Sequence, residues 1–333
     1  MKVISKYQLF IILSSILSVI FTNFAFASIQ VKGKSCSDIQ NAIYQLPPAG
    51  GEVSLTSGIY TCLSPIVIDR NNVVLRGEGN ATILRLGDQV NAPVLVMGMT
   101  EAVPSAAIKH VKVTHLMIDG NRDNQTQECM GGECSGEFPL RNNGISIRRC
   151  VDCTVESVEV HSAISGGLVT ELGCRRLTIR DYTSYNNAFD GLAGYETEDS
   201  TFSGINLYDN KAAGISTDIK FNNNKFYDVT ISDNKSVGIF MRDSSDNSFT
   251  NLHIRNSQQH GIFLAQVNAD PETAAVGNTF TSVVISNSGG AGIQANDKSC
   301  INNMIVGAQY INNRSCVGEA SSGLLENVGA ICR

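Results

Sequence analysis

Tryptophan is absent from this 333-residue chain, so any aromatic platform must be built from Phe and Tyr. A surplus of basic charge is also missing. Lys and Arg number 25 against 31 Asp and Glu, a net charge of −6. That balance excludes nucleic acid as a bulk electrostatic partner. Only one long apolar run is present, Leu9 to Phe21, and it is short for a membrane span. Lys2 and Lys6 precede it, and Ala25-Phe26-Ala27 follows as a small-x-small cleavage site. Residues 1–27 therefore read as a secretory signal. Without them the net charge is −8. The expectation is an exported chain with no membrane contact after cleavage; an uncleaved anchor is the alternative.

Cysteine is plentiful: there are ten. In an exported chain they point to disulfides. Cys36 and Cys62 can tie the N-terminal end to the first strands, Cys129 and Cys134 can close a small loop, and Cys316 and Cys332 can staple the tail. Cys150 and Cys174 stand one repeat apart and can face each other on adjacent coils. Cys150–Cys153 and Cys300–Cys316 are the alternatives. A zinc site built from Cys129, Cys134, Cys150 and Cys153 is a further alternative, which export disfavours.

A repeat organises the rest. Gly followed by Ile or Leu recurs at Gly144, Gly167, Gly191, Gly214, Gly238, Gly261 and Gly292, in steps of 23, 24, 23, 24, 23 and 31. The long last step holds Asn268 to Glu272, which read as a loop. Val155, Ile179, Phe202, Phe226, Phe249 and Phe280 drift in step with the glycines. So do Asn187, Asn210 and Asn234, each four residues before a repeat glycine. A period of this size marks a solenoid. Apolar residues alternate after each glycine, so the unit is built of strands. The fold class is all-β: a parallel β-helix of one domain, 28–333, with coils of 23–24 residues. It is right-handed by the usual crossover rule. The Phe and Ile/Leu series fill its interior, and the Asn series bonds within a turn.

The ends differ from the repeat. Ser37-Asp38-Ile39-Gln40 has capping-box spacing, and Ile39, Ala42, Ile43 and Leu46 share one helical face. A helix over 36–46 thus caps the open N-terminal end. Residues 119–141 make a loop excursion of the kind that carries ligand contacts. Residues 301–313 read as one more coil, and 314–333 as a C-terminal cap.

Candidate chemistry follows from the pleat. Counting from each repeat glycine, the second and fourth residues point outward. The fourth residues are Arg148, Glu171, Tyr195, Asp218, Arg242 and Ala265. Regular stacking puts Glu171 and Tyr195 about 5 Å apart and Glu171 and Asp218 about 10 Å apart. Asp190 and His260 are further candidate substrate-binding groups, and Glu196 and Asp243 lie nearby. Removing the C5 proton of a uronic acid needs a neutralised carboxylate, a base and an acid. Arg148 and Arg242 can hold the carboxylate, Glu171 or Asp218 can be the base, and Tyr195 can move a proton. Phe240 and Phe263 can stack a sugar. A plainer reading competes: Arg148–Glu171 and Asp218–Arg242 are opposite charges on neighbouring coils, worth ~0.2–1 kcal/mol each without any substrate.

Helix, Pro47-Pro48-Ala49-Gly50-Gly51-Glu52-Val53-Ser54-Leu55, Gly58-Ile59-Tyr60 and Asn72 to Gly79 resemble the opening of the pectate-lyase-like superfamily, including mannuronan C5-epimerases. The resemblance spans residues 36 to about 313. It implies a secreted protein, monomeric, acting on an acidic polysaccharide by lyase or epimerase chemistry. A glycoside hydrolase and a non-catalytic glycan-binding β-helix are the alternatives. The epimerases carry Asp-Pro-His on one coil; the matching segment here is Val169-Thr170-Glu171. The consecutive Asp pair of polygalacturonases is absent. Resemblance to pectate-lyase-like enzymes, which often use calcium, makes Asp190, Glu196 and Asp218 candidate ligands, although no dense oxygen-ligand motif is present.

Overall fold

The computed structural model describes residues 27–126, 128 and 140–333. Nearly all of the expected signal segment, and Cys129 and Cys134, lie outside them. The chain winds as a parallel β-helix whose coils contribute strands to three sheets. The largest sheet contains the eight-residue strands from Lys112–Asp119 to Thr279–Ser286. A second sheet runs through Ile145–Arg148, Leu168–Glu171, Leu192–Tyr195, Ile215–Asp218, Ile239–Arg242 and Ile262–Val267. A short third sheet includes Cys150–Val151, Cys174–Arg175 and Thr197–Glu198.

The ladders form inside the coils. Phe202, Phe226, Phe249 and Phe280 are register neighbours and stack at centroid distances of 4.4, 4.3 and 5.0 Å. Asn187 donates Nδ2–H to Asn210 Oδ1 (2.9 Å), and Asn210 does the same to Asn234 (3.0 Å). Each side chain thus satisfies buried polar groups in the turn above or below. A second ladder, Asn224–Asn247–Asn278–Asn303, repeats this at 3.1, 3.0 and 3.0 Å. Sequence reading missed it, although its first three members each precede a ladder Phe by two residues.

Each eight-residue strand contains one left-handed residue, at His115, Ser157, Asp181, Gly204, Asp228, Asn251 and Ser282. Short polar residues and Gly tolerate that conformation best. It resets the pleat, so that Val155 and Val158 both face the core.

Several expectations need correction. The helix is Cys36–Gln45, and its capping box is Ser35 with Asp38, not Ser37 with Gln40. The Ser35 cap starts the helix at Cys36, which is buried and bonded to Cys62. Asn268 to Glu272 are not a plain loop: Asp270–Ala274 returns antiparallel onto Ile262–Val267. The tail is more than a cap. Ser315–Val317, Leu325–Val328 and Ile331–Cys332 pair with the coil before them and continue the helix. Asn303–Val306 and Gln309–Ile311 form the extra coil expected at 301–313.

Cys316–Cys332 forms as expected, but Cys150 bonds Cys153, not Cys174. That bridge also removes two ligands of the zinc alternative. Cys174 remains a buried thiol, and burial pushes its pKa up to about 12. A thiol so held is inert. Alkylation of the native chain should leave Cys174 unmodified, and non-reducing peptide mapping should return Cys150 joined to Cys153. A Cys150–Cys174 peptide would contradict this.

Candidate active site on the second sheet

The outward row lines up as the repeat predicts. Arg148 is the register partner of Glu171, and Tyr195 of Asp218; Leu168–Leu192 and Thr170–Gly194 join the two halves. Gly194 faces inward, where a Cβ would meet the Phe221 ring at 2.3 Å.

The plainer reading holds for four of the charged residues. Arg148 Nε donates to Glu171 Oε1 (2.7 Å), while Nη1 and Nη2 reach the carbonyls of Met99 (2.5 Å) and Ala102 (3.4 Å). Arg148 is only 3% exposed. It cannot hold a substrate carboxylate, because the 99–102 segment covers it. Asp218 is 5% exposed and accepts from Arg242 Nε (2.9 Å) and Nη2. Its other oxygen accepts from the Ile219 amide (2.9 Å). Asp218 is therefore committed to its ion pair, and the base role assigned to it is withdrawn. Glu171 keeps one edge on a cleft but shares its charge with Arg148.

That cleft, about 330 Å³, is lined by Arg141, Val169, Glu171, Tyr195, Glu196 and Ile219. Arg141 arrives from the end of the excursion. Its guanidinium lies over the Phe189 ring (4.6 Å) and pairs with Glu128 (3.0 Å). Sequence reading missed Arg141; its place three residues before the first repeat glycine was the available signal.

Asp190 adjoins this group. Its Oδ1 accepts the Ala213 N–H (2.8 Å). The residue before the repeat glycine does this on other coils too: Asn143 accepts from Gly166 (3.1 Å) and His260 from Ala291 (3.0 Å). A carboxylate in that position is costly to bury. Burial raises the Asp190 pKa to about 6, against the lowering effects of the Ala213 N–H and Arg141. Burial, with the nearby Asp190, Asp218 and Glu171 carboxylates, also pushes the Tyr195 hydroxyl up to about 12. Arg141 opposes that shift. Tyr195 is thus a proton donor throughout the neutral range, and Asp190 an unusually basic carboxylate. The sequence reading named both but placed Asp190 among the binding groups.

Farther along the face, Phe240 and Phe263 stack at 5.7 Å, and Arg242 lies 5.3 Å over Phe240. His260 sits beside Phe263 (5.3 Å), outside the Tyr195 cleft. Asp190, Glu196 and Asp218 do not form a calcium cage. Among the described residues, no three His, Cys, Asp or Glu side chains gather closely enough to hold an ion.

Mannuronan C5-epimerase AlgE4 of Azotobacter vinelandii is 28% identical over 172 residues, half of this chain and 30% of the relative. The A-module of Azotobacter vinelandii epimerase AlgE6 superposes with a TM-score of 0.59 at 16% identity, covering 90% of this chain and 95% of that one. An endo-xylogalacturonan hydrolase from Aspergillus tubingensis superposes at 0.60 with 12% identity, covering 92% and 93%. At such identities a superposition shows shared fold, and one fold hosts several reactions. The family model for the right-handed beta helix region matches residues 140–309, about half of the sequence. The chain belongs to the right-handed β-helix family.

Proposed function

We propose that this protein modifies a uronic-acid-containing polysaccharide by lyase or C5-epimerase chemistry in the Arg141–Tyr195 cleft. The observation that carries the reading is the pairing of Asp190, its pKa raised to about 6, with Tyr195, raised to about 12, beside Arg141. Two groups with separated proton affinities make an acid and a base. Arg141 neutralises the uronate carboxylate, which makes the C5 proton acidic. Asp190 takes that proton. In a lyase, Tyr195 protonates the O4 that leaves as the C4–O bond breaks, and a C4–C5 double bond forms. In an epimerase, a proton returns to C5 from the opposite face. Glu171 and Asp218, first candidates for the base, instead hold Arg148 and Arg242 in the wall of the site. Phe240 and Phe263 offer apolar ring faces for the polymer farther along. The epimerase-like relatives support the substrate class, and the disulfides agree with export.

A screen of alginate, pectate and glycosaminoglycans tests this. Absorbance from an unsaturated uronide identifies a lyase, and C5 proton exchange without cleavage identifies an epimerase. New reducing ends without that absorbance identify a hydrolase and reject the proposal, as does binding without turnover. The pH profile is a further expectation. Activity should rise with an apparent pKa near 6 as Asp190 loses its proton. No alkaline fall from Tyr195 should appear below about pH 10, given its position near 12.

A further inference from the structure

The same face ends in a second depression. It is a groove of about 830 Å³, lined by Gln258, Gln259, His260, Gln294, Arg314 and Glu319 among others. His260 is neutral there. Burial lowers its pKa from 6.5, and Nδ1 accepts the Ala291 N–H (3.0 Å), leaving the proton on Nε2. Arg314 is exposed and forms no ion pair among the described residues. Amides, a neutral imidazole and a free guanidinium are the groups that bind sugar hydroxyls and one carboxylate. Glu319 on the rim sets a limit on how much negative charge the groove takes.

A row of side-chain contacts on the second sheet leads from the groove toward the cleft. His260 lies against Phe263, which stacks on Phe240, which lies under Arg242. Phe263 is the register partner of Gln294. Four coil steps separate Tyr195 from the Gln294 strand. At about 4.8 Å per coil that is roughly 19 Å, several sugar units rather than one.

We propose that this groove is a second subsite for an acidic polysaccharide, with Arg314 on a uronate carboxylate. The protein then grips a polymer at two places and discriminates against short oligomers. The identity of the sugar rests on the function proposed above; the length discrimination does not need turnover.

The test is isothermal titration of the full chain with alginate and pectate oligomers of two sizes. Oligomers of about ten units should bind at least tenfold tighter than those of about three, because a second contact on the same molecule acts at high effective concentration. Arg314→Gln should remove most of that gain and leave the short oligomer's affinity unchanged. Its exposed position makes a folding defect unexpected, and an unchanged thermal midpoint checks this. Full length dependence in the variant, or no length dependence in the parent, would overturn the subsite. Length-dependent binding without turnover would retain the subsite and reject the reaction.

Discussion

Asp190→Asn should lower kcat by about 10²–10⁴, the usual contribution of a positioned acid or base. Tyr195→Phe should fall in the same range, while Glu171→Gln, whose carboxylate already serves Arg148, should lose much less. The Asp190 variant separates chemistry from folding. Its carboxyl is raised from 3.8 to about 6 by burial. The stability this group contributes is complete below 3.8 and lost as pH rises through about 6. Asparagine cannot ionise, so above pH 6 the variant should melt no lower than the parent. A dead enzyme with an undiminished melting temperature is the expected combination. Full turnover in Asp190→Asn, read from initial rates on the best polymer, would remove Asp190 from the mechanism.

Phe226→Ala should be the most damaging change in the core. The ring is stacked between Phe202 and Phe249 at 4.4 and 4.3 Å, with Phe221 tilted against it at 6.1 Å. It is fully buried. Removing it leaves a cavity between coils that cannot collapse, because the backbone ladder on each side fixes their spacing. The expected loss is ~3–5 kcal/mol, measured as a shift in denaturant midpoint. In a solenoid, stability sums over neighbouring coils, so protection from hydrogen exchange should fall first in the coils on either side. A loss below about 1 kcal/mol would mean that the stack contributes little.

The parts of the fold legible in the sequence were those that repeat. Glycines, phenylalanines and asparagines stepping together predicted the coils, the interior and the Asn187–Asn210–Asn234 ladder. The alignment of Arg148, Glu171, Tyr195 and Asp218 on one wall was also legible, because the pleat has a period of two. What those residues do there was not. Arg148 is sealed by the 99–102 segment, which lies outside the repeat, so its burial left no trace in the spacing. Arg141 reaches the cleft from an excursion for the same reason. The Asp190 shift depends on what packs around it, and a sequence does not record that. The repeat period put Cys174 first as the partner of Cys150, with Cys153 the alternative; the bridge forms to Cys153, because the period brings residues into register without saying which thiol a turn turns back upon.

Turnover of a uronan polymer in deuterium oxide, followed by NMR at C5, settles whether Asp190 abstracts the C5 proton. The expected result is either deuterium at C5 in the intact polymer or a C4–C5 double bond in the products, both lost in Asp190→Asn. Cleavage that leaves C5 protonated and saturated would contradict it.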